Sequence, residues 1–231
     1  AAIPVPESLV QAIADALPAG IRLAVRSSAN GEDLESLAGA GLYDSVVDVD
    51  RSDLAAALRR VWGSLWTRRA AQSRRQAGIP HRAIRMAVLV QETIRPEISF
   101  VMHTIDPASG DPDLACAELA AGFGEILASA SEPGSPCRIR CQRQTQAVEV
   151  VRCADFSIAL GGRGERRRLI YSEVPLARDP AYVERIGRVL AQLAVFLEKR
   201  LGGPQDVEGV FTGEDLFGVQ ARAQQGVGHE A

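Results

Sequence analysis

Near the end of the chain, QDVEGVFTGEDLFGVQAR (205–222) gathers residue types able to handle a metal-bound phosphate. Period-2 alternation puts Asp206 and Glu208 on one face of a first strand, and Gln220 and Arg222 on one face of a second. A turn centred on Glu214 sets Glu208 opposite Gln220 and Asp206 opposite Arg222, about 4.5–5.5 Å apart at Cβ. Two carboxylates, an amide and a guanidinium then share one small area. Magnesium prefers oxygen ligands, usually a carboxylate or two plus substrate phosphates. The arginine fork fits phosphate oxygens bidentately. The same residues also suit a solvated strand face with one cross-strand ion pair of little energetic weight.

A second stretch, RSSANGEDLESLAGAGLYDS (26–45), opens with Arg26 and two hydroxyls and carries three glycines and four acids. Loops of that length without secondary structure are usually functional or disordered. Glycines let backbone N–H groups approach an anion with no Cβ in the way, and an arginine at a strand end can clamp the same phosphates. The loop matches neither a P-loop nor a dinucleotide fingerprint. Alone it is equally a structural turn; joined with the hairpin it favours nucleotide binding.

Elements must hold these two stretches in place. Leu9, Ile13 and Leu17 give helical spacing over 7–17. IRLAV (21–25) is a strand running into the Arg26 loop, and LYDSVVDV (42–49) is the strand leaving it. Leu54, Leu58, Val61 and Leu65 mark one face of a long helix over 52–77. MAVLVQE, ISFVMHTI and LACAEL read as strands, with PASGD as turn chemistry between the last two. GFGEILAS is a second functional loop, followed by weaker strands around 137–153 and an exposed connection at 160–168. A strong helix covers 180–201, with Tyr182, Ile186, Val189, Leu193, Phe196 and Leu197 as its apolar stripe. The pattern is α+β with mostly antiparallel strands.

Composition narrows the function classes. The 231 residues, 46% hydrophobic and 24% charged, suit one large domain or two small lobes with a real core. A net charge of -3 argues against a dedicated nucleic-acid or membrane-surface binder, and the isolated run RGERRR reads as solvated surface. No apolar run is long enough to span a bilayer, and residues 1–20 do not resemble a signal peptide. Cys116, Cys137, Cys141 and Cys153 read as reduced thiols, with no histidine near Cys137 and Cys141 to complete a zinc set. All basic residues but Lys199 are arginine, so lysine chemistry must use Lys199 or come from elsewhere. His81, His103 and His229 are poor phosphate acceptors, His103 fitting a core or pocket-wall position. Trp62 and Trp66 read as core packing.

VRSSANGEDLESLAGAGLYDS, AVLVQE, GFGE and QDVEGVFTGEDLFGVQAR resemble, in the same order, landmarks of the nucleotide-binding domain of the pyruvate phosphate dikinase and phosphoenolpyruvate synthase superfamily. Within it, AGAGLYDS, VWGSLWTRRAAQSRRQAG and SFVMHTIDP are most similar to glucan, water dikinases, and RSSANGEDL and MAVLVQE to the phosphoglucan, water dikinase branch. The resemblance spans 1–231 and implies an ATP-grasp fold using ATP and Mg²⁺. It implies transfer of the ATP β-phosphate to a histidine on a separate domain, and from there to starch-like phosphoglucan, in a chloroplast. By motif position, Arg26, Glu208 and Arg222 would be catalytic. Arg26 and Arg222 would hold phosphates, while Gly41 and Ser45 close the loop over them. Gln91 and the Glu92–Thr93 backbone would line the adenine hinge, with Glu125 near the ribose or adenine. Asp206, Glu208 and Gln220 would manage Mg²⁺. The resemblance also implies a preceding lobe with a phosphate-binding lysine, a phosphohistidine domain and a glucan-binding module, none of them in this sequence. Ala223 stands where the family usually has proline. Two rival readings stay open: the same domain in a phosphoenolpyruvate-forming enzyme, and a non-catalytic nucleotide-binding module.

Overall fold

The computed structural model describes residues 4–31, 41–129 and 133–225. The chain folds as two compact units, Ala1–Ile94 and Arg95–Ala231, each with its own apolar clusters.

The first unit begins with helix α1 (Glu7–Asp15), then strands β1 (Leu23–Ala29) and β2 (Ser45–Val49), helices α2 (Leu54–Ser64) and α3 (Arg68–Gln76), and strand β3 (Met86–Glu92). The strands form an antiparallel sheet in the order β2-β1-β3. Alternation assigns its faces. Leu23, Val25 and Val49 pack with Leu54, Leu58 and Val61 of α2, which leaves Arg26 on the other face. The helix expected over 52–77 is two helices. Thr67 is extended and its hydroxyl accepts from the Ala70 amide, starting α3 with an N-cap. Ser64 and Thr67 donate their hydroxyls to the Val61 and Ser64 carbonyls, a local competition with helix hydrogen bonding. Trp66, at this break, is 62% exposed and so is not core; Trp62 does pack against the α2 cluster.

The second unit holds strands β4 (Ile98–His103) and β5 (Leu114–Ala121), helix α4 (Glu125–Ser129), strands β6 (Cys137–Gln142), β7 (Val148–Arg152), β8 (Ile158–Leu160) and β9 (Arg166–Arg168), helices α5 (Pro175–Arg178) and α6 (Pro180–Leu201), and the hairpin β10 (Gln205–Thr212) and β11 (Asp215–Ala223). Six strands form an antiparallel sheet in the order β11-β10-β4-β5-β6-β7, while β8 and β9 pair separately, giving strand structure to part of the expected connection. Asp179 caps α6 by accepting from the Tyr182 amide at 3.1 Å, Pro180 opens the helix, and Gly202 ends it in the left-handed region. Val183, Ile186, Leu190 and Ala194 of α6 cover one sheet face, meeting Phe100, Met102, Ile139 and Val207. The opposite face carries the polar residues of β4, β10 and β11. The whole is a mixed helix and antiparallel-sheet structure, the α+β class expected.

Candidate functional site

The hairpin pairs as its residue types require: Asp206 lies opposite Arg222, and Glu208 opposite Gln220. The turn, however, is the two-residue Gly213–Glu214 connection between Thr212 and Asp215, not one centred on a single residue. The register shifts by one between Glu208 and Gly209, where β11 contributes Val219 as an extra residue. That bulge restores the expected pairing and re-aims Gln220 and Arg222, a common use of bulges near binding sites. Val207 and Phe211 point into the core, so Asp206 and Glu208 face away from α6.

The row continues onto β4, where His103 lies opposite Asp206 and Val101 opposite Glu208. Together with Gln220 and Arg222 these residues line a shallow recess. The His103 Nδ1 stands 2.6 Å from Asp206 Oδ1, and Arg222 Nη2 stands 3.4 Å from Asp206 Oδ2. Asp206 is 14% exposed, against 29% for Arg222 and 35% for His103. Each Asp206 oxygen therefore already has a cationic or polar partner. On the far side, β5 places Cys116 opposite His103, and β6 places Arg140 opposite Cys116. Arg140 Nε donates to the buried Asp106 at 3.1 Å. Burial pushes the Cys116 thiol up, with Asp106 adding to the shift. Sequence reasoning placed His103 at a wall but missed its bond to Asp206. The bond depends on β4 pairing with β10, which puts the two residues in one row and which periodicity alone does not encode.

The GFGE segment lies on the Ser99 end of the same sheet face. A side chain at Gly124 would begin 3.3 Å from the Ser99 Cβ, and Ser99 Oγ donates to the Gly122 carbonyl at 2.6 Å. Glu125 follows as the half-buried first residue of α4, so the expected loop is partly helical.

In the first unit, the register lines up Ser45, Arg26 and Leu89 across β2, β1 and β3, with Ala24 opposite Gln91 one step along. Arg26, Ser45 and Gln91 thus share the sheet face away from α2. Leu89, 51% exposed, lies beside them and was not singled out from sequence. Gly41 has φ +64, a conformation open to glycine at little cost. Loop residues 32–40 lie outside the described residues. At the end of β3, the Thr93 amide donates to the Arg22 carbonyl at 2.8 Å, and Thr93 Oγ1 accepts from the Asp48 amide. Arg22 in turn bonds Asp48 and Asp50. Thr93 is therefore a clasp whose N–H is already used. Ladder alternation makes Leu23 and Glu92 a non-hydrogen-bonded pair, so the Glu92 amide and carbonyl point off the open edge of β3.

The donor set fits a magnesium-bound nucleotide. Within the second unit, Glu208 and Gln220 offer adjacent oxygens and Arg222 a guanidinium in the next row. Among the described residues no group of three or more His, Cys, Asp or Glu side chains could hold a metal by itself. Magnesium commonly binds through few protein ligands plus phosphate oxygens.

Residues 2–231 match the family described as "Pyruvate phosphate dikinase, AMP/ATP-binding domain", and the chain belongs to it. Its relatives include a rifampicin phosphotransferase of Streptomyces sviceus, 35% identical over 230 residues, covering 95% of this chain and 26% of that protein. A chloroplastic alpha-glucan water dikinase of Solanum tuberosum is 31% identical over 199 residues, covering 73% of this chain and 14% of that protein. A probable phosphoenolpyruvate synthase of Archaeoglobus fulgidus is 30% identical over 203 residues, covering 87% and 27%. The chain thus spans about a quarter or less of the relatives it matches. The superfamily expected from the motifs is the one found, and ATP binding follows from it; the relatives do not single out the glucan branch. No helix among the described residues is long and apolar enough to cross a membrane.

Proposed function

We propose that this chain is the ATP-grasp-type nucleotide-binding part of a dikinase-type phosphotransferase. The observation that carries the reading is the register of β10 and β11, which aligns Glu208 with Gln220 and Asp206 with Arg222 on the sheet face away from α6. Glu208 and Gln220 would hold Mg²⁺, which when bound neutralises phosphate charge. In the second unit Arg222 would bind phosphate; in the first unit Arg26 would have a phosphate-binding role by motif position, with Gly41 and Ser45 closing its loop. Gln91 and the Glu92 backbone would meet the base, and Glu125 the ribose side. Phosphoryl transfer asks the protein mainly for such positioning and charge neutralisation. The β-phosphate would pass to a histidine on another domain.

For the final acceptor, AGAGLYDS and SFVMHTIDP support starch-like phosphoglucan, and with it a chloroplast setting. A second acceptor, rifampicin, is favoured by the 35% identity over 95% of the chain to a phosphotransferase of that name. Calorimetric titration of Mg·ATP tests the nucleotide reading: wild type binds, and Glu208→Gln and Arg222→Gln each bind roughly tenfold more weakly or worse. Unchanged binding in both variants would overturn the assigned roles. Phosphate transfer from radiolabelled ATP to phosphoglucan or to rifampicin by the protein in its full natural length separates the two acceptors.

A further inference from the structure

Resting on that nucleotide reading, we infer that His103 is a positioning residue that holds Arg222 in its phosphate-gripping pose through Asp206. The three residues occupy one row across β4, β10 and β11, all on the face away from α6. A carboxylate only accepts hydrogen bonds, so the His103 Nδ1, 2.6 Å from Asp206 Oδ1, carries the hydrogen. That bond fixes the plane of the carboxylate and directs Oδ2 at Arg222 Nη2, 3.4 Å away. The contact to Arg222 is the long one of the two, so the guanidinium is restrained yet keeps donors for another anion. In the neighbouring row, Glu208 has Val101 in the position that His103 takes beside Asp206. On this reading Asp206 serves to hold Arg222, and Glu208 keeps the metal role proposed for it. The arrangement parallels the rule that partners behind a ligand orient it and are costly to lose.

The test is a double-mutant cycle. H103F keeps a ring but loses the donor; H103N keeps an amide N–H near the Nδ1 position. Mg·ATP is titrated calorimetrically into the wild type protein, H103F, H103N, R222Q and H103F/R222Q, with thermal unfolding recorded for each. R222Q is expected to weaken binding roughly tenfold, H103F about three- to tenfold, and H103N to stay near wild type. H103F should add nothing in the R222Q background. Without nucleotide, the ¹⁵N side-chain resonances of Arg222 should show faster guanidinium rotation in H103F than in wild type or H103N. Additive losses in the cycle, or unchanged Arg222 resonances in H103F, overturn the positioning role. If instead wild type does not bind Mg·ATP, the nucleotide reading itself fails, and this inference with it; R222Q binding as tightly as wild type removes the gripping role of Arg222 and overturns the inference alone.

Discussion

At the residue scale, Asp206 and Glu208 look interchangeable in sequence and are not in structure. Asp206 is bonded on one oxygen by His103 and on the other by Arg222, while Glu208 stands opposite Gln220 and Val101. Their variants should differ in kind. Glu208→Gln is expected to raise the Mg²⁺ concentration needed for half-maximal ATP binding by roughly tenfold. Asp206→Asn should weaken ATP binding while leaving that Mg²⁺ midpoint near wild type. Titrating Mg²⁺ at fixed ATP reads the difference, and equal shifts in both variants would contradict the division of labour. Both carboxylates were legible in the sequence because strand alternation fixes a face. Their separate partners were not, because strand order between β4 and β10 is set by long-range packing that periodicity does not encode.

At the element scale, the hairpin depends on two local devices. The first is the extra residue at Val219. A one-residue slip sends alternate side chains to the opposite face, so deleting Val219 should turn Gln220 and Arg222 toward the α6 side or force the strands apart. Loss of Mg·ATP binding in a variant whose circular dichroism still shows native strand content is the expected result. The second is Gly209, where a Cβ would collide with the Phe100 ring and lie 2.8 Å from the Phe217 carbonyl. Gly209→Ala must push a buried ring, and is expected to destabilise by about 1–3 kcal/mol in denaturant titration. Elsewhere, Thr67→Ala removes the cap of α3 and should cost about 1 kcal/mol. That break was missed because an apolar stripe reads through it; the signal was the Ser64 and Thr67 hydroxyls, which offer the backbone other partners. The strands MAVLVQE and ISFVMH and the α6 helix were legible because patterning, propensity and capping agree there.

At the scale of the whole molecule, the division at Ile94/Arg95 puts all four cysteines in the second unit. Burial pushes the Cys137 thiol up to about 11 and the Cys141 thiol up to about 12, while Cys153 is exposed. A thiol reagent at pH 8 should therefore modify Cys153 first, with the others reacting only on unfolding. The same burial gives an alkaline limit to stability. Above about pH 9 the unfolded chain loses these protons while the folded one keeps them, so stability is full below that pH. It should then fall by roughly 1 kcal/mol per pH unit per thiol until the folded groups ionise near 11 and 12. Cys141→Ala should flatten that decline in denaturant titrations between pH 9 and 11, whatever it costs at neutral pH. The two-unit division itself was open in the sequence, where one domain and two lobes fitted equally, because no change in composition marks the boundary.

The unmatched Val219 also bears on how this hairpin can change over evolutionary time. Its strand parity depends on the tight connection and the surplus residue together. A descendant that drops the surplus must insert a residue at the connection, or the amide and guanidinium swap sides. Length changes at the two places should therefore arise in compensating pairs among homologous sequences.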